Sequence, residues 1–275
     1  MGRVETTLGH LAVATSAQAG KQYRMGRIFG QDGRCLVLPL DHGSMLGRLA
    51  GLEDPLGALE RFMSLGCDGF LLGPGVATRS SHLFAHRGAP ARLLTVDSYW
   101  NEGQHGASAA IASVRTALSL GVDAIKALMP WNLAKAERRD LVAFLASLIE
   151  EAAPFGLPVM LEPVAFEEER GPEAIRMEGD GARVAMEMGA DIIKIAYPDD
   201  PDLLASWCDE LKVPLVMLGG PSRGPDDDLV SMVSEAMAAG ARGIVVGRRV
   251  WQRPPEQAAA LMKELRLLVH PVASE

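Results

Sequence analysis

The chain of 275 residues has few cysteines, few aromatic side chains and no long apolar segment. Its three cysteines, Cys35, Cys67 and Cys208, are scattered and lack metal-ligand spacing, which predicts packed thiols in a reducing compartment. No apolar run is long enough to cross a bilayer, and the N-terminus lacks the layout of a secretory signal. We therefore expect a cytoplasmic protein that has no membrane partner.

Positive charge is also scarce. The 35 acidic residues outnumber the 27 lysines and arginines, which gives a formal net charge of −8. A protein that binds nucleic acid in general would instead display a basic stripe to neutralise the phosphates. The charge balance thus argues against a nucleic-acid partner, while anionic metabolites can still bind at local sites.

The chain does contain a regular alternation of strand and helix patterns. Short apolar runs are each followed by polar or glycine-rich residues and then by helical periodicity, as in 134–152, 229–239 and 255–268. The predicted strands cover residues 35–40, 69–72, 92–96, 124–128, 158–161, 192–196, 215–218 and 243–246. Eight such units predict a closed (β/α)8 TIM barrel that forms one domain, residues 34–275.

The segments that flank these units fit the same register. Glycines at 66, 121, 189 and 240 precede predicted strands, and each is expected to end the helix before it. Residues 1–33 form an N-terminal extension, which we expect to cover the barrel floor or a neighbouring subunit. Such an extension favours a homo-oligomer.

Lys194 is a lone cation inside an apolar run, ADIIKIA at residues 190–196. Strand alternation places it on the same face as Ile192 and Ala196, where a buried amine must find a partner or lose its charge. An uncharged lysine can attack a carbonyl and form a Schiff base. Taken alone, the residue is also consistent with a lysine that reaches solvent from the strand end.

Other ionisable residues occur where strands end, which is where barrel enzymes carry their catalytic groups. Strand one runs into Asp41 and His42, strand four carries Lys126, strand five ends at Glu162 and strand six carries Lys194. If these residues form one site, Lys126 would lower the pKa of Lys194 by like-charge repulsion, and a carboxylate would transfer protons during the reaction. The alternatives are a helix cap at Asp41, a structural ion pair between Lys126 and Glu162, and a loop histidine at His42. The coincidence of these ionisable residues at one face of the barrel favours a catalytic site.

Strands seven and eight end in glycine and arginine instead. They run into GGPSRG at residues 219–224 and GRR at residues 247–249. Barrel enzymes commonly hold phosphate in these loops, through glycine amides and added cationic side chains. We therefore predict a phosphorylated ligand, with His42 as a further substrate contact. The candidate phosphate-binding residues are Gly219, Gly220, Ser222, Gly247, Arg248 and Arg249.

One pattern raises the question of a metal. His82 and His86 are spaced i and i+4, but no third ligand or general-base glutamate accompanies them. We therefore interpret them as residues of a surface helix, and we predict that the protein uses neither a metal ion nor another cofactor.

Several segments resemble a known family of class I aldolases. The family includes archaeal-type fructose-bisphosphate aldolase, tagatose-bisphosphate aldolase and autoinducer-processing aldolase-like enzymes, and the resemblance covers nearly the whole chain. The segments are MGRIF at 25–29, LPLDHG at 38–43, DIIK at 191–194, GGP at 219–221 and GRRVWQ at 247–252. The resemblance implies a (β/α)8 barrel in which Lys194 forms the Schiff base and Asp41 assists. It also implies that residues 247–252, with Gly219, Gly220 and Arg249, contribute to the phosphate site.

One position departs from the archaeal fructose-bisphosphate branch. That branch places a tyrosine at the end of strand five, where this chain has Glu162 within the sequence LEP. In this respect, and in Lys126 on strand four, the chain is more similar to the tagatose-bisphosphate and sulfosugar-phosphate branches. The expected function is a lyase that cleaves or forms a phosphorylated ketose. The alternatives are a transaldol or acyl transferase on the same scaffold and a non-catalytic sugar-phosphate-binding protein.

Overall fold

The computed structural model describes residues 14–102, 105–166, 170–220 and 226–271. Eight parallel strands close into a barrel, so the TIM barrel predicted from the sequence is confirmed. The barrel strands are β1 (Cys35–Pro39), β2 (Gly69–Leu72), β3 (Ala91–Thr95), β6 (Ala124–Pro130), β7 (Val159–Val164), β8 (Ile192–Ile195), β9 (Leu215–Leu218) and β10 (Gly243–Val245). Around the barrel they lie in the order β1-β10-β9-β8-β7-β6-β3-β2.

Helices alternate with these strands and surround them. In the described residues they are α1 (Ser16–Ile28), α2 (Gly43–Leu46), α3 (Pro55–Phe62), α4 (Pro74–Arg79), α5 (Val114–Leu120), α6 (Lys135–Ala152), α7 (Pro172–Met188), α8 (Pro201–Leu211), α9 (Asp226–Ala238), α10 (Arg248–Trp251) and α11 (Pro255–Val269). Short 3₁₀ turns cover Ser81–Phe84 and Ala153–Phe155. Among the described segments, no helix has both the length and the apolar character needed to cross a bilayer.

Two features differ from the sequence predictions. An antiparallel hairpin, β4 (Asp97–Glu102) with β5 (His105–Ala110), follows β3 and was not predicted. The surface helix predicted around two histidines is wrong in extent, because His82 lies in the short 3₁₀ turn and His86 lies beyond it. Both histidines are exposed, as expected for a surface position.

The alternation of side chains along each strand divides the barrel interior into layers. The lower layer is apolar and is lined by Val37, Leu71, Leu93, Ala124, Met160, Ile192, Val216 and Val245. The intervening strand residues, such as Leu36 and Ile193, pack in the larger core shared with the helices. Residues two positions further along each strand therefore point inward again, at the C-terminal mouth.

The barrel floor is fastened by aspartates in three of the turns that precede strands. Asp68 accepts a hydrogen bond from the Leu36 amide at 2.6 Å. Asp123 accepts a hydrogen bond from the Arg92 amide at 2.9 Å, and Asp191 accepts one from the Val159 amide at 3.0 Å. Each carboxylate thus joins the start of its own strand to a neighbouring strand.

Helix α1 lies across this floor. It begins at a capping box between Thr15 and Gln18. Its Lys21 and Arg27 form 2.7 Å ion pairs with Asp191 and Asp123. The apolar residues Ile28 and Phe29 then join the lower layer of the barrel, so that α1 closes the lower end.

Candidate active site

The second inward layer of the barrel is polar, in contrast to the apolar layer beneath it. Lys126 lies two residues after Ala124 on β6, and Lys194 lies two residues after Ile192 on β8. Glu162 stands between them on β7, two residues beyond Met160. These three side chains are 5–6% exposed. The alternation that fills the core below thus also places two lysine side chains and a glutamate side chain at one level of the barrel.

Glu162 bridges the two lysines. Its Oε1 lies 2.8 Å from Nζ of Lys194, and its Oε2 lies 2.6 Å from Nζ of Lys126. The sequence predicts direct like-charge repulsion between the lysines, but the carboxylate lies between them and contacts both. This arrangement follows from β7 being the strand that separates β6 from β8 in the barrel.

Electrostatics favour the ionised forms of Glu162 and Lys126. Burial raises the pKa of Glu162, but the two lysines outweigh that effect and leave its pKa lowered. Burial disfavours the ammonium of Lys126, but the carboxylates of Glu162 and Asp41 outweigh it and leave the pKa of Lys126 raised. The resting site therefore holds a carboxylate next to cationic Lys126.

Asp41, just after β1, faces the same space. Its Oδ2 accepts a 2.6 Å hydrogen bond from the Thr95 hydroxyl at the end of β3. Its Oδ1 lies 3.4 Å from Nδ1 of His42. Burial opposes ionisation of Asp41, but the contact with His42 and the charge of Lys126 outweigh it and lower the pKa of Asp41. A second ionised carboxylate thus interacts electrostatically with Lys126.

Two cavities meet at these residues. The inner cavity, of about 60 Å³, includes Asp41, Thr95, Asp97 and Lys126 in its lining. The outer cavity, of about 650 Å³, opens toward the loops after β7 to β10. Five residues line both cavities, namely His42, Met45, Leu128, Glu162 and Lys194. Lys194 therefore lies at the junction of the narrow inner cavity and the wide outer cavity.

The residues predicted to bind phosphate lie around the outer cavity. Gly219, Gly220, Gly247, Arg248 and Arg249 all line it, together with Lys194. Ser222 lies outside the described residues. The five described candidates are thus brought to one wall of the space that Lys194 also lines.

The glycines at this wall allow the backbone to approach closely. A Cβ on Gly219 would lie 2.8 Å from Cα of Val246, and a Cβ on Gly247 would lie 2.8 Å from Cγ of Pro39. Gly220 has a φ of 69°, in the left-handed region. These positions require glycine for packing and turn geometry, apart from any role toward an anion.

Some residues of the site were not predicted from the sequence. Thr95, Asp97 and Tyr99 line the inner cavity, and Arg170 lines the outer one. Asp97 comes two residues after Thr95 and begins the β4–β5 hairpin, which contacts α2, α6 and β6. The available signal was the polar run TVDS after a buried strand, which parallels the aspartate after strand one.

Arg170 belongs to a polar network at the rim of the outer cavity. Its guanidinium donates to Oε2 of Glu178 on α7 at 2.7 Å and to the carbonyl oxygen of Tyr197 at 2.7 Å. The Tyr197 hydroxyl donates in turn to Glu235 on α9 at 2.7 Å. This network joins the loop after β7 to the loop after β8.

Across the four described ranges, no group of three or more His, Cys, Asp or Glu side chains is arranged to hold a metal ion.

The chain is similar to proteins of known family. Residues 35–253 match the model of the DeoC/LacD family aldolase. Over 239 residues the chain is 30% identical to the 2-amino-3,7-dideoxy-D-threo-hept-6-ulosonate synthase of Halobacterium salinarum, which covers 85% of this chain and 86% of that protein. It is 31% identical over 243 residues to the class 1 fructose-bisphosphate aldolase of Thermoproteus tenax, which covers 82% and 87%.

A solved structure extends this likeness to the fold. An archaeal fructose-1,6-bisphosphate aldolase, whose catalytic lysine is covalently bound to the carbinolamine intermediate of its substrate, superposes with a TM-score of 0.76. Its sequence is 28% identical, over 90% of this chain and 99% of that one.

Proposed function

We propose that this chain, which belongs to the DeoC/LacD family of aldolases, cleaves or forms a phosphorylated ketose through an imine on Lys194, without a metal ion. The class I aldolase resemblance given by the sequence is confirmed by the family match and by the aldolase relatives. The observation that carries the finer proposal is the 2.8 Å contact between the buried Lys194 and Glu162, at a cavity with an arginine and glycine wall.

Imine formation needs a neutral amine. Glu162, as a carboxylate, is placed to take a proton from the Lys194 ammonium and leave a lone pair for attack on the ketone carbon. Attack leaves an alkoxide beside a cationic nitrogen, and transfer of one proton from that nitrogen to the alkoxide gives the neutral carbinolamine. The protonated Glu162 then returns its proton to the carbinolamine hydroxyl, which departs as water. The product is an iminium ion whose positive charge lies at the junction of the two cavities.

Cleavage uses that iminium ion as an electron sink. A carboxylate removes the proton from the hydroxyl on the carbon that will leave. The carbon–carbon bond breaks, its electrons move to the iminium as an enamine, and an aldehyde departs. Glu162 is our leading candidate for this base, with Asp41 and Lys126 as supporting charges. Protonation of the enamine carbon and hydrolysis of the imine then restore Lys194.

The phosphate is proposed to bind at the outer cavity wall. Backbone amides at Gly220 and Gly247 and the side chains of Arg248 and Arg249 offer donors there. The Gly219 amide donates to the Val245 carbonyl oxygen, so Gly219 contributes by allowing a close backbone approach. Burial lowers the pKa of Arg248, and the Glu162 carboxylate opposes this. Because the ordinary pKa of arginine is far above neutral, Arg248 and Arg249 supply positive charge to the cavity that Glu162 and Lys194 also line.

Transfer of the enamine fragment to a second acceptor is a second candidate reaction. The outer cavity of about 650 Å³ supports it, because that space exceeds what one phosphate group needs beside Lys194. Product analysis with and without added aldehydes separates the two reactions. A lyase releases free aldehyde from the ketose alone, whereas a transferase turns over only when an acceptor is present.

The experiment for the imine is reductive trapping. The protein is incubated with a panel of phosphorylated ketoses and borohydride, and the labelled peptide is mapped by mass spectrometry. We expect the mass increase on the peptide that contains Lys194. The Lys126→Met variant serves as the control, since it removes the neighbouring amine and should still be labelled at Lys194. A label at Lys126, or no label with any ketose, would overturn the proposal.

A further inference from the structure

Only one of the two carboxyl oxygens of Asp97 has a hydrogen-bond partner among the described residues. Its Oδ2 accepts hydrogen bonds from the Leu128 amide at 3.0 Å and from the Ser108 hydroxyl at 3.2 Å. Its Oδ1 is buried and has no hydrogen-bond partner among the described residues. The whole residue is 2% exposed and lines the inner cavity. A buried oxygen left without a partner is costly, so a site that keeps one is expected to supply the partner from a ligand.

The fixed oxygen determines how the free one can bind. Because Oδ2 accepts from both a backbone amide and a hydroxyl, a proton carried by this carboxyl group resides on Oδ1. Burial raises the pKa of Asp97, and the charge of Lys126 opposes this. A hydroxyl group is a matching partner for Oδ1 in either state, because it donates to a carboxylate oxygen and accepts from a carboxylic acid.

The size of the inner cavity limits what that partner can be. A volume of about 60 Å³ accommodates a hydroxyl group on one carbon, whereas the outer cavity is about ten times larger. The arginines and glycines of the proposed phosphate wall line the outer cavity. A substrate bonded to Lys194 at the junction thus has its phosphate on one side and a short substituent on the other.

We propose that Asp97 is a substrate-binding residue, whose Oδ1 hydrogen-bonds to the hydroxyl on the carbon next to the substrate's carbonyl. The site then selects phosphorylated hydroxyketones over their deoxy analogues. This inference rests on the proposed imine at Lys194, which fixes the carbonyl carbon at the junction. It assigns a function to the end of β3 and the start of the β4–β5 hairpin.

The test compares two ketone phosphates that differ by this one hydroxyl, dihydroxyacetone phosphate and acetol phosphate. The rate of borohydride trapping at Lys194 is measured against the concentration of each ketone. A site built to bind a hydroxyl rejects the analogue that lacks it, so the parent protein should prefer dihydroxyacetone phosphate by about 100-fold. Asp97→Ala should reduce this preference to within a few-fold.

Asp97→Asn provides rescue in the same measurement. Its amide can keep a carbonyl oxygen at the Oδ2 position and a donating NH₂ group at the Oδ1 position, so it should retain most of the preference. Asp123→Ala, at the barrel floor, is the matched control, because it removes another buried carboxylate and should lower the melting temperature without changing the preference. If Asp97→Ala does not fold, Asp97→Ser replaces it, since its shorter hydroxyl can still accept from the Leu128 amide.

The outcomes separate this inference from the proposed function. Trapping of both ketones by the parent protein at similar rates overturns the role of Asp97 and leaves the imine intact. If Asp97→Ala keeps the full preference for dihydroxyacetone phosphate, that result also overturns the role of Asp97 and leaves the imine intact. Absence of trapping with either ketone and with every ketose of the panel overturns both.

Discussion

Oε1 of Glu162 lies 2.8 Å from Nζ of Lys194, at hydrogen-bonding distance between a candidate base and a candidate nucleophile. Because Lys126 holds the other oxygen of the same carboxylate, Glu162 cannot turn away without breaking a second ion pair. The base is thus oriented before substrate arrives, which is the geometric condition for efficient proton transfer.

Lys194→Met should abolish trapping and reduce turnover by several orders of magnitude, about the scale seen when a nucleophile is removed. The methionine side chain has a similar length, so the variant should fold. However, it leaves Glu162 with one lysine fewer, so some loss of melting temperature is expected. Circular dichroism and the turnover rate of one preparation check both points. A variant that folds and keeps measurable imine formation would exclude Lys194 as the nucleophile.

Glu162→Gln should lower kcat by about 10²- to 10⁴-fold, because it removes the proton acceptor of Lys194. It also breaks two buried ion pairs, which typically costs about 3–5 kcal/mol in the free energy of unfolding. Melting temperature and kcat are therefore measured together. Asp191→Asn, which weakens the Lys21 ion pair at the floor, is the control for destabilisation without loss of kcat. A destabilised but fully active Glu162→Gln enzyme would remove this residue from the mechanism.

Arg248→Gln should raise KM for phosphorylated substrates by about 10- to 100-fold with a smaller effect on kcat, since a charge-assisted hydrogen bond contributes about 1.5–3 kcal/mol. Steady-state kinetics with a ketose phosphate give both constants. Arg242→Gln is the matched control, because Arg242 is exposed at the start of β10, at the opposite end of the barrel. Equal effects of the two substitutions would contradict a phosphate contact at Arg248.

Prolonged chelation with EDTA should leave activity unchanged, because an iminium ion and not a metal stabilises the electrons of the broken bond in the proposed mechanism. Activity is measured before and after dialysis. Loss of activity that a divalent ion restores would point to metal stabilisation of an enolate.

His270, at the end of α11, should give the protein a pH-dependent stability. Its ring nitrogens lie 2.8 Å from Oδ2 of Asp68 and 2.7 Å from Oδ2 of Asp32. The hydrogen bond to Asp68, with Asp32 adding to it, raises the pKa of His270. A raised folded-state pKa stabilises the protein fully below the unfolded value of about 6.5, and this stabilisation is lost as the pH rises through the folded pKa.

The measurement is the free energy of unfolding in urea between about pH 5 and pH 9, where this histidine changes charge. The difference between the parent and His270→Gln should be largest at the acidic end and should decline toward the alkaline end. A difference that stays constant with pH would show that the ring acts only through packing.

The fold was predictable because buried parallel strands produce continuous apolar runs, and their positions follow directly from the sequence. The strand at Leu215–Leu218, for example, agrees with its predicted bounds. The hairpin after β3 escaped prediction because DSYWNE lacks a clear alternation of apolar and polar residues. Hairpins of this kind depend on pairing with a second segment, which local pattern does not reveal.

The candidate site was predictable in part, for a similar reason. Alternation along one strand put Lys194 on an inward face, but the bridge through Glu162 depends on which residues of three neighbouring strands lie at one level. That level is a property of barrel closure and strand stagger. Asp97 was missed because its importance depends on which of its oxygens is left without a partner. The catalytic roles themselves stay predictions.

Helix α1 limits how far the protein can be shortened. Cleavage before Thr15 would keep the capping box and the ion pairs of α1, because these lie downstream. Cleavage after Phe29 would leave the carboxylates of Asp123 and Asp191 without their ion-pair partners on α1 and would expose the apolar lower layer to water. A protease that removes α1 would therefore open the lower end of the barrel, at the end opposite to Lys194. Loss of activity after such cleavage would be caused by hydration of the barrel interior and not by a change at the reacting residues.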